Sequence, residues 1–171
     1  MDCAKKYPDF KSELMVRFAE NKQKVLDAIL KQIENAFPNP EDSYSMSQIA
    51  KRLKTIAKQV DTASDEMKVD VYWAIADRTL KELNDYGISD EILEDVAIDY
   101  MSDMASLLKG KTVLKQKRQK ILEELMKYYE WGNCGIGDSI YGTVEELLED
   151  KSDYQIVINH LEKTVKSSGS G

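Results

Sequence analysis

Apolar residues recur every three or four positions along nearly the whole chain, which is the spacing of amphipathic α-helices. The first stretch shows this spacing most clearly, with Phe10, Leu14 and Phe18 followed by Val25, Ile29 and Ile33. No window alternates with the period of two that is typical of a strand. The pattern predicts seven helices, over about residues 9–36, 45–60, 64–86, 89–109, 112–130, 138–147 and 152–165.

Capping and helix-breaking residues mark the ends of these stretches. Pro38 and Pro40 end the first helix, because proline disfavours the helical conformation in the preceding residue. Ser45, followed by Gln48, predicts a capping box at the start of the second helix. Polar residues predict the starts of the later helices, at Ser64–Glu66, Ser89–Glu91, Asp138 and Ser152 with Gln155. Glycines predict three helix ends, at Gly87, Gly110 and Gly132.

Two segments share the pattern Leu-x-Glu-Leu-x-x-Tyr and then Gly-Ile-x-Asp-x-Ile. They are residues 80–92 and 122–140, offset by 42 positions before a six-residue insertion and by 48 after it. This offset is the period of helix-pair repeats. On these residues the chain resembles HEAT-like helical-repeat proteins, and also small α-helical families with a Tyr-Gly-Ile-x-Asp turn. The resemblance covers about residues 65–150 and implies no catalytic residues.

The connections between the predicted helices are short, so consecutive helices should pack as antiparallel neighbours. We therefore expect an all-α fold of about seven amphipathic helices in antiparallel pairs, arranged as a HEAT-like stack or a helical bundle. Residues 1–166 are predicted to form one domain. Residues 167–171, Ser-Ser-Gly-Ser-Gly, are predicted to be a flexible linker or a cloning remnant.

Charge is distributed unevenly along the chain, whose formal net charge is −7. Residues 61–103 carry a net charge of −10, and residues 104–120 carry +6. Within the first block four carboxylates follow at intervals of four, as Glu91, Asp95, Asp99 and Asp103. Each such like-charge pair costs a helix about 0.2–0.5 kcal/mol.

Two interpretations of this acidic stripe are open. In an antiparallel hairpin, Lys111 and Lys115 would lie beside Asp99 and Asp103 and neutralise them within the chain, which is the interpretation we favour. Alternatively, the stripe is an acidic surface that attracts a basic partner and speeds association. A metal site is not expected, because a straight helix spreads its carboxylates along its length whereas calcium sites gather oxygens on a curved loop.

Other chemistry is sparse. Residues 109–120 hold six basic side chains, which raises nucleic-acid binding as an alternative, but no aromatic residue is interleaved and the overall charge opposes it. The glycine-rich segment 132–139 follows a helix and lacks the Lys and Ser/Thr of a phosphate-binding loop, which favours a tight turn. A pocket there, serving a small ligand or an enzyme, is a further alternative. His160 is the single histidine and sits on the flank of an apolar stripe.

We therefore expect a non-enzymatic protein–protein interaction module, of adapter or regulatory type, with no cofactor and no metal. Its candidate surface comprises the acidic stripe and two aromatic residues beside the glycine-rich turn, Tyr129 and Trp131, since such residues anchor interfaces. The expected partner is a protein, and the acidic stripe would favour a basic one. The chain has no apolar run that could cross a membrane, and Cys3 and Cys134 form no disulfide framework, so a cytoplasmic location is expected.

Overall fold

The computed structural model describes residues 3–37, 45–85, 90–128 and 135–169, with side chains described within 11–37, 45–85, 90–128 and 136–163. These residues form seven α-helices and one 3-10 turn, and they contain no strand. The helices are α1 Cys3–Asn35, α2 Met46–Lys58, α3 Asp65–Asp85, α4 Glu91–Leu108, α5 Lys115–Met126, α6 Gly135–Leu147 and α7 Lys151–Gly169, with the 3-10 turn over Thr112–Leu114. The predicted all-α fold is confirmed, and α7 extends into the predicted tail.

The α3–α4 hairpin lies at the centre of the molecule and is buried on both sides. The rings of Tyr72 and Tyr100, near the middle of each helix, are 5.5 Å apart, as expected for antiparallel neighbours. One face of the hairpin packs with α5 and α6, through residues that include Trp73 and Leu80. The other face, which includes Ile75, packs with α1 and α2. The described residues therefore form two apolar cores that share one hairpin.

The connection between α1 and the centre is reinforced by a polar contact. Arg78 on α3 donates to Glu34 on α1 at 2.9 Å and to the buried Glu82 at 2.6 Å. Its guanidinium also lies 4.4 Å from the centre of the Phe37 ring. Because both carboxylates share one cation that is stacked on an aromatic ring, the end of α1 is held firmly against α3.

Some of the predicted helix ends agree with those in the structure, and others do not. Asp90 accepts a hydrogen bond from the Leu93 amide at 3.0 Å, as an N-cap should, and Gly110 adopts the left-handed conformation after α4 with φ 73°. The predicted capping box at Ser45 is wrong, because its side chain makes no capping hydrogen bond. α6 begins at Gly135, which places Asp138 in the first turn and not at the cap.

The predicted cap of α7 at Ser152 is also wrong. Asp150 takes this place, since its carboxylate accepts from the Asp153 amide at 3.1 Å. The Asp153 carboxylate in turn accepts from the amides of Glu149 and Asp150. This reciprocal arrangement satisfies three backbone donors at once, whereas a hydroxyl at position 152 lies two residues after the N-cap position and cannot cap the first turn.

Asp90→Ala is expected to lower the free energy of unfolding by about 1 kcal/mol, because the first amides of α4 lose their acceptor. Urea unfolding followed by circular dichroism at 222 nm measures this. Ser45→Ala removes a residue in the same position that makes no cap bond, and its effect should stay below about 0.5 kcal/mol. Equal effects in the two variants would contradict the assignment of the α4 cap.

Candidate interaction surfaces

The acidic stripe lies along the solvent side of α4. All four of its side chains, Glu91, Asp95, Asp99 and Asp103, are exposed. None of them forms an ion pair with a residue that the structure describes. Burial raises the pKa of Asp103 above its ordinary value, and the charge of Asp99 raises it further. The stripe is therefore an exposed acidic surface whose carboxylates are not held in ion pairs.

The predicted neutralisation of the stripe by Lys111 and Lys115 is wrong. Lys111 pairs with Asp65 in the first turn of α3, and Lys115 pairs with Asp150 at 3.0 Å. The reason is the packing of the hairpin, which brings the start of α3 beside the end of α4. The carboxylate of Asp65 is then closer to Lys111 than the solvent side of α4 is.

The remaining basic residues of the 109–120 segment are also largely paired. Lys117 contacts Asp70 and lies 3.6 Å from Glu66. Arg118 is 2% exposed and pairs with Glu149. Four of the six cations in this segment are thus bound to carboxylates of the chain itself, so the segment offers few free charges for phosphate groups.

A cleft of about 440 Å³ adjoins the acidic stripe between α2 and the central hairpin. Its floor carries Tyr72 and Tyr100, and its walls carry the charged side chains of Lys54, Lys58, Asp61, Asp99 and Asp103. Burial, followed by the nearby Tyr72 and the carboxylates, raises the pKa of Tyr100 to about 12. Both phenols therefore stay protonated at neutral pH, and the cleft presents hydroxyls beside charges of both signs.

Arg118 is the centre of a buried ion cluster between α5 and the start of α7. It donates to Asp153, which is 0% exposed, at 2.9 Å, and it lies 3.0 Å from Glu149. Gln119 donates to the other oxygen of Asp153 at 2.9 Å. Among the buried side-chain nitrogen and oxygen atoms that the structure describes, only the Nε of Arg118 has no hydrogen-bond partner. The cluster fixes α7 to α5 and has a structural role.

Hydrogen bonds set the charge state of Asp153. Burial alone would raise the pKa of this carboxyl, but Gln119, the two backbone amides and Arg118 together outweigh burial and lower it. A carboxyl whose folded pKa is lowered stabilises the fold above its unfolded pKa of about 4, and this contribution is lost as the pH falls through the folded value.

The stability difference between wild type and Asp153→Asn is therefore expected to be constant above about pH 5 and to narrow below it. Urea unfolding at a series of pH values measures the difference. The wild-type curve alone is not diagnostic, because the raised pKa values of Asp77 and Asp103 act with the opposite sign. A difference that stays constant down to pH 3, or widens on acidification, would contradict the lowered pKa.

The most exposed apolar surface belongs to α1. Every described side chain from residue 11 to residue 25 is exposed, and we call this segment the arm. It carries half of the large apolar side chains that are exposed in the described chain, namely Leu14, Met15, Val16, Phe18 and Val25. Phe18 and Met15 are each 64% exposed. The arm therefore lacks the packing that normally stabilises a helix. Isolated helical segments of this length are only marginally stable in water.

A smaller apolar stripe is exposed on α7. Tyr154, Ile158 and Leu161 lie on one side of the helix and are between 37% and 53% exposed. Of the apolar residues with helical spacing on α7, Val157 is half-buried, Leu161 is exposed, and Val165 lies outside the described side chains. His160 is half-buried and lines a cleft between α5 and α7.

Tyr129 and Trp131, the aromatic part of the predicted surface, lie outside the described residues, as do residues 132–134 of the glycine-rich segment. The described end of that segment belongs to the core, since Ile136 and Ile140 are buried against α4 and α5. The small-ligand alternative near 132–139 therefore stays a prediction.

The apolar spacing predicted α1 as one amphipathic helix but did not predict that its arm is uncovered. A usable signal was length. α1 has 33 residues and spans about 50 Å, whereas its partner α2 has 13 and spans about 20 Å. A helix that is much longer than its neighbour must extend beyond it.

Comparisons with protein-family models, curated proteins and solved structures found no match for this chain. Within the described residues no group of three or more His, Cys, Asp or Glu side chains is arranged to hold a metal ion. No described helix has both the length and the apolar character needed to cross a bilayer. The geometry of the exposed surfaces is therefore the main guide to function.

Proposed function

We propose that the chain is a protein–protein interaction module, of adapter or regulatory type and not an enzyme, and that the arm of α1 is its principal contact surface. The observation that carries this proposal is the exposure of Leu14, Phe18 and Val25 on α1, which extends beyond the helices that pack against it. Contiguous exposed apolar surface is uncommon on a monomer and marks sites that another macromolecule covers.

Burial of the arm's apolar side chains supplies part of the binding energy. Full burial of a Leu, Phe or Val side chain stabilises a complex by about 1.5–3 kcal/mol relative to leaving it in water. Leu14, Phe18 and Val25 begin between 38% and 64% exposed, so each contributes part of this range. Ordering a helix that is only marginally stable alone costs conformational entropy, which reduces the net gain.

The acidic stripe supports the same function as a second surface. Its like-charge neighbours destabilise α4 by about 0.2–0.5 kcal/mol per pair, and none of its carboxylates forms an ion pair within the described chain. A basic partner would relieve this destabilisation. Such a field increases the rate of encounter more than the final affinity. Charge reversal in the stripe should therefore slow association more than it speeds dissociation.

The proposal also covers the arrangement of the helices and the location of the protein in the cell. The helix pairs form a HEAT-like stack in which α1–α2, α3–α4 and α5–α6 follow in order, supported by the two cores on either side of the central hairpin. The protein acts in the cytoplasm, which is supported by its two cysteines, distant in the sequence. In such stacks the exposed surfaces bind the partners.

Site-specific photocrosslinking tests the function. Benzoylphenylalanine at position 18, in extract of the source cells, is expected to give a discrete crosslinked species that excess wild type suppresses and excess Phe18→Asp does not. The same probe at Val113, which is 90% exposed and lies outside the arm, is the matched control. No discrete species from position 18, or the same species from both positions, would contradict the proposal.

A further inference from the structure

The charges that border the arm's apolar stripe all have one sign. Residues three or four positions away are neighbours on a helix surface. Three charged residues lie three or four positions from a residue of the stripe, which comprises Leu14, Phe18 and Val25. They are Lys11, Arg17 and Lys22. No acidic residue of the arm lies at those distances. The stripe is therefore a narrow apolar surface between cationic edges.

The acidic residues of the arm occupy its other side. Glu13 forms an exposed ion pair with Arg17 at 2.9 Å, and Glu20 lies on the face away from the stripe. Arg17 has other donors free to reach a second carboxylate, because a guanidinium carries five. The stripe's cationic edges thus remain able to bind an anionic group.

The stripe continues an interface that already exists in the fold. Val25 is one helical turn before Ile29, and Ile29 is one turn before Ile33. Ile29 and Ile33 are buried against α2 and α3, whereas Val25 is 51% exposed. The apolar surface persists where the neighbouring helices end, so a further helix can be packed against it in the same manner.

We propose that the arm binds an acidic amphipathic helix of another protein, which places its apolar side on Leu14, Phe18 and Val25 and its carboxylates opposite Lys11, Arg17 and Lys22. This proposal rests on the proposed function and specifies the partner. Apolar contact supplies the affinity, and the charged edges select an acidic helix over a basic one.

A second copy of the chain does not fit this surface. Lys11 and Lys22 border one side of the stripe, and Arg17 borders the other. Two copies packed stripe to stripe would bring cations together at both edges, whether the helices run parallel or antiparallel, and like charges across an interface oppose association.

An anionic membrane surface fits less well than an acidic helix. Helices that lie on membranes have a polar face rich in Lys and Arg. Here Glu13 and Glu20 lie on the polar side of the arm, and the whole chain carries −7. The two carboxylates oppose contact with an anionic bilayer, whereas neither touches a helix seated on the stripe.

The full-length variant Lys11→Glu/Arg17→Glu/Lys22→Glu is a suitable probe, because it presents the same apolar stripe between acidic edges. Light scattering after size exclusion in about 50 mM salt measures the mass of each protein alone and of their equimolar mixture. Wild type and variant should each be monomeric, and the mixture should form a one-to-one complex. Raising the salt to about 500 mM should weaken the complex at least tenfold.

Two control variants test whether the complex depends on the stripe and its edges and not only on the net charge of the protein. Lys51→Glu/Arg52→Glu/Lys58→Glu changes the net charge equally on the exposed side of α2 and should form no complex with wild type. Phe18→Asp added to the acidic-edged variant should abolish its complex. Circular dichroism at 222 nm confirms that every variant keeps its helices, and unmixed variants should unfold at the wild-type temperature within a few degrees.

Several results would overturn the proposal. A wild-type dimer that Phe18→Asp dissociates would assign the arm to a second copy. Binding of wild type to vesicles of phosphatidylserine and phosphatidylcholine, lost in Phe18→Asp, would assign it to a membrane. No complex in the mixture, or an equal complex with the α2 variant, would refute the acidic helix. A partner crosslinked at position 18 would then still support the interaction module, so the two proposals fail separately.

Discussion

Arg118→Met is expected to lower the free energy of unfolding by about 3–5 kcal/mol, the largest effect of any single substitution considered. Methionine keeps the volume of the arginine stem but removes the cation. Asp153, which is fully buried, would then hold an uncompensated charge that only Gln119 and backbone amides solvate. For a domain of this size the melting temperature should fall by about 6–20 °C.

Lys115→Met is the matched control for Arg118→Met. It makes the same chemical change one helical turn earlier, where the cation pairs with Asp150 at 3.0 Å and both side chains are more than 40% exposed. Exposed pairs contribute at most about 1 kcal/mol, so the control should be nearly silent. Thermal and urea unfolding of both variants measure the difference, and a loss below 1 kcal/mol in Arg118→Met would contradict the role of the buried cluster.

Leu80→Ala is expected to lower the free energy of unfolding by about 2–5 kcal/mol. Leu80 is completely buried in the core between α3, α5 and α6, and its removal leaves a cavity that the surrounding helices fill only in part. Because the central hairpin belongs to both cores, we expect a single cooperative transition at a lower urea concentration with an unchanged slope.

Leu14→Ala makes the same substitution on the arm. Its side chain is exposed and packs against no described neighbour in the core, and alanine is a good helix former. The free energy of unfolding should change by less than about 0.5 kcal/mol. A loss comparable to that of Leu80→Ala would show that the arm is packed in solution, and it would contradict the free apolar stripe.

The periodicity of the sequence predicted the helices well, because burial of one side of each helix determines where apolar residues recur. It predicted the position of Arg118 less well. Leu114, Ile121 and Leu125 have the spacing of an inward stripe on the fifth helix. Arg118 falls between them with the same spacing, which places it inside. Its charge caused it to be grouped with the exposed basic residues instead.

The partners of the ion pairs and the exposure of the arm could not be predicted from the local sequence pattern, for a different reason. The partner of Lys111 depends on which helix end packs beside it, and that is a property of tertiary arrangement. Similarly, the spacing of Leu14 and Phe18 determines which side of α1 is apolar, but not whether another helix covers that side. The prediction for Tyr129 and Trp131 stays a prediction.

Hydrogen exchange of the free protein, resolved by peptide mass spectrometry, tests the unpartnered arm most directly. Amides in residues 11–25 should exchange close to the rate of a fraying helix, because no tertiary contact opposes local opening. Amides in residues 29–35 should be protected by several orders of magnitude more, since Ile29 and Ile33 are buried. Equal, strong protection along the whole of α1 would contradict an arm that awaits a partner.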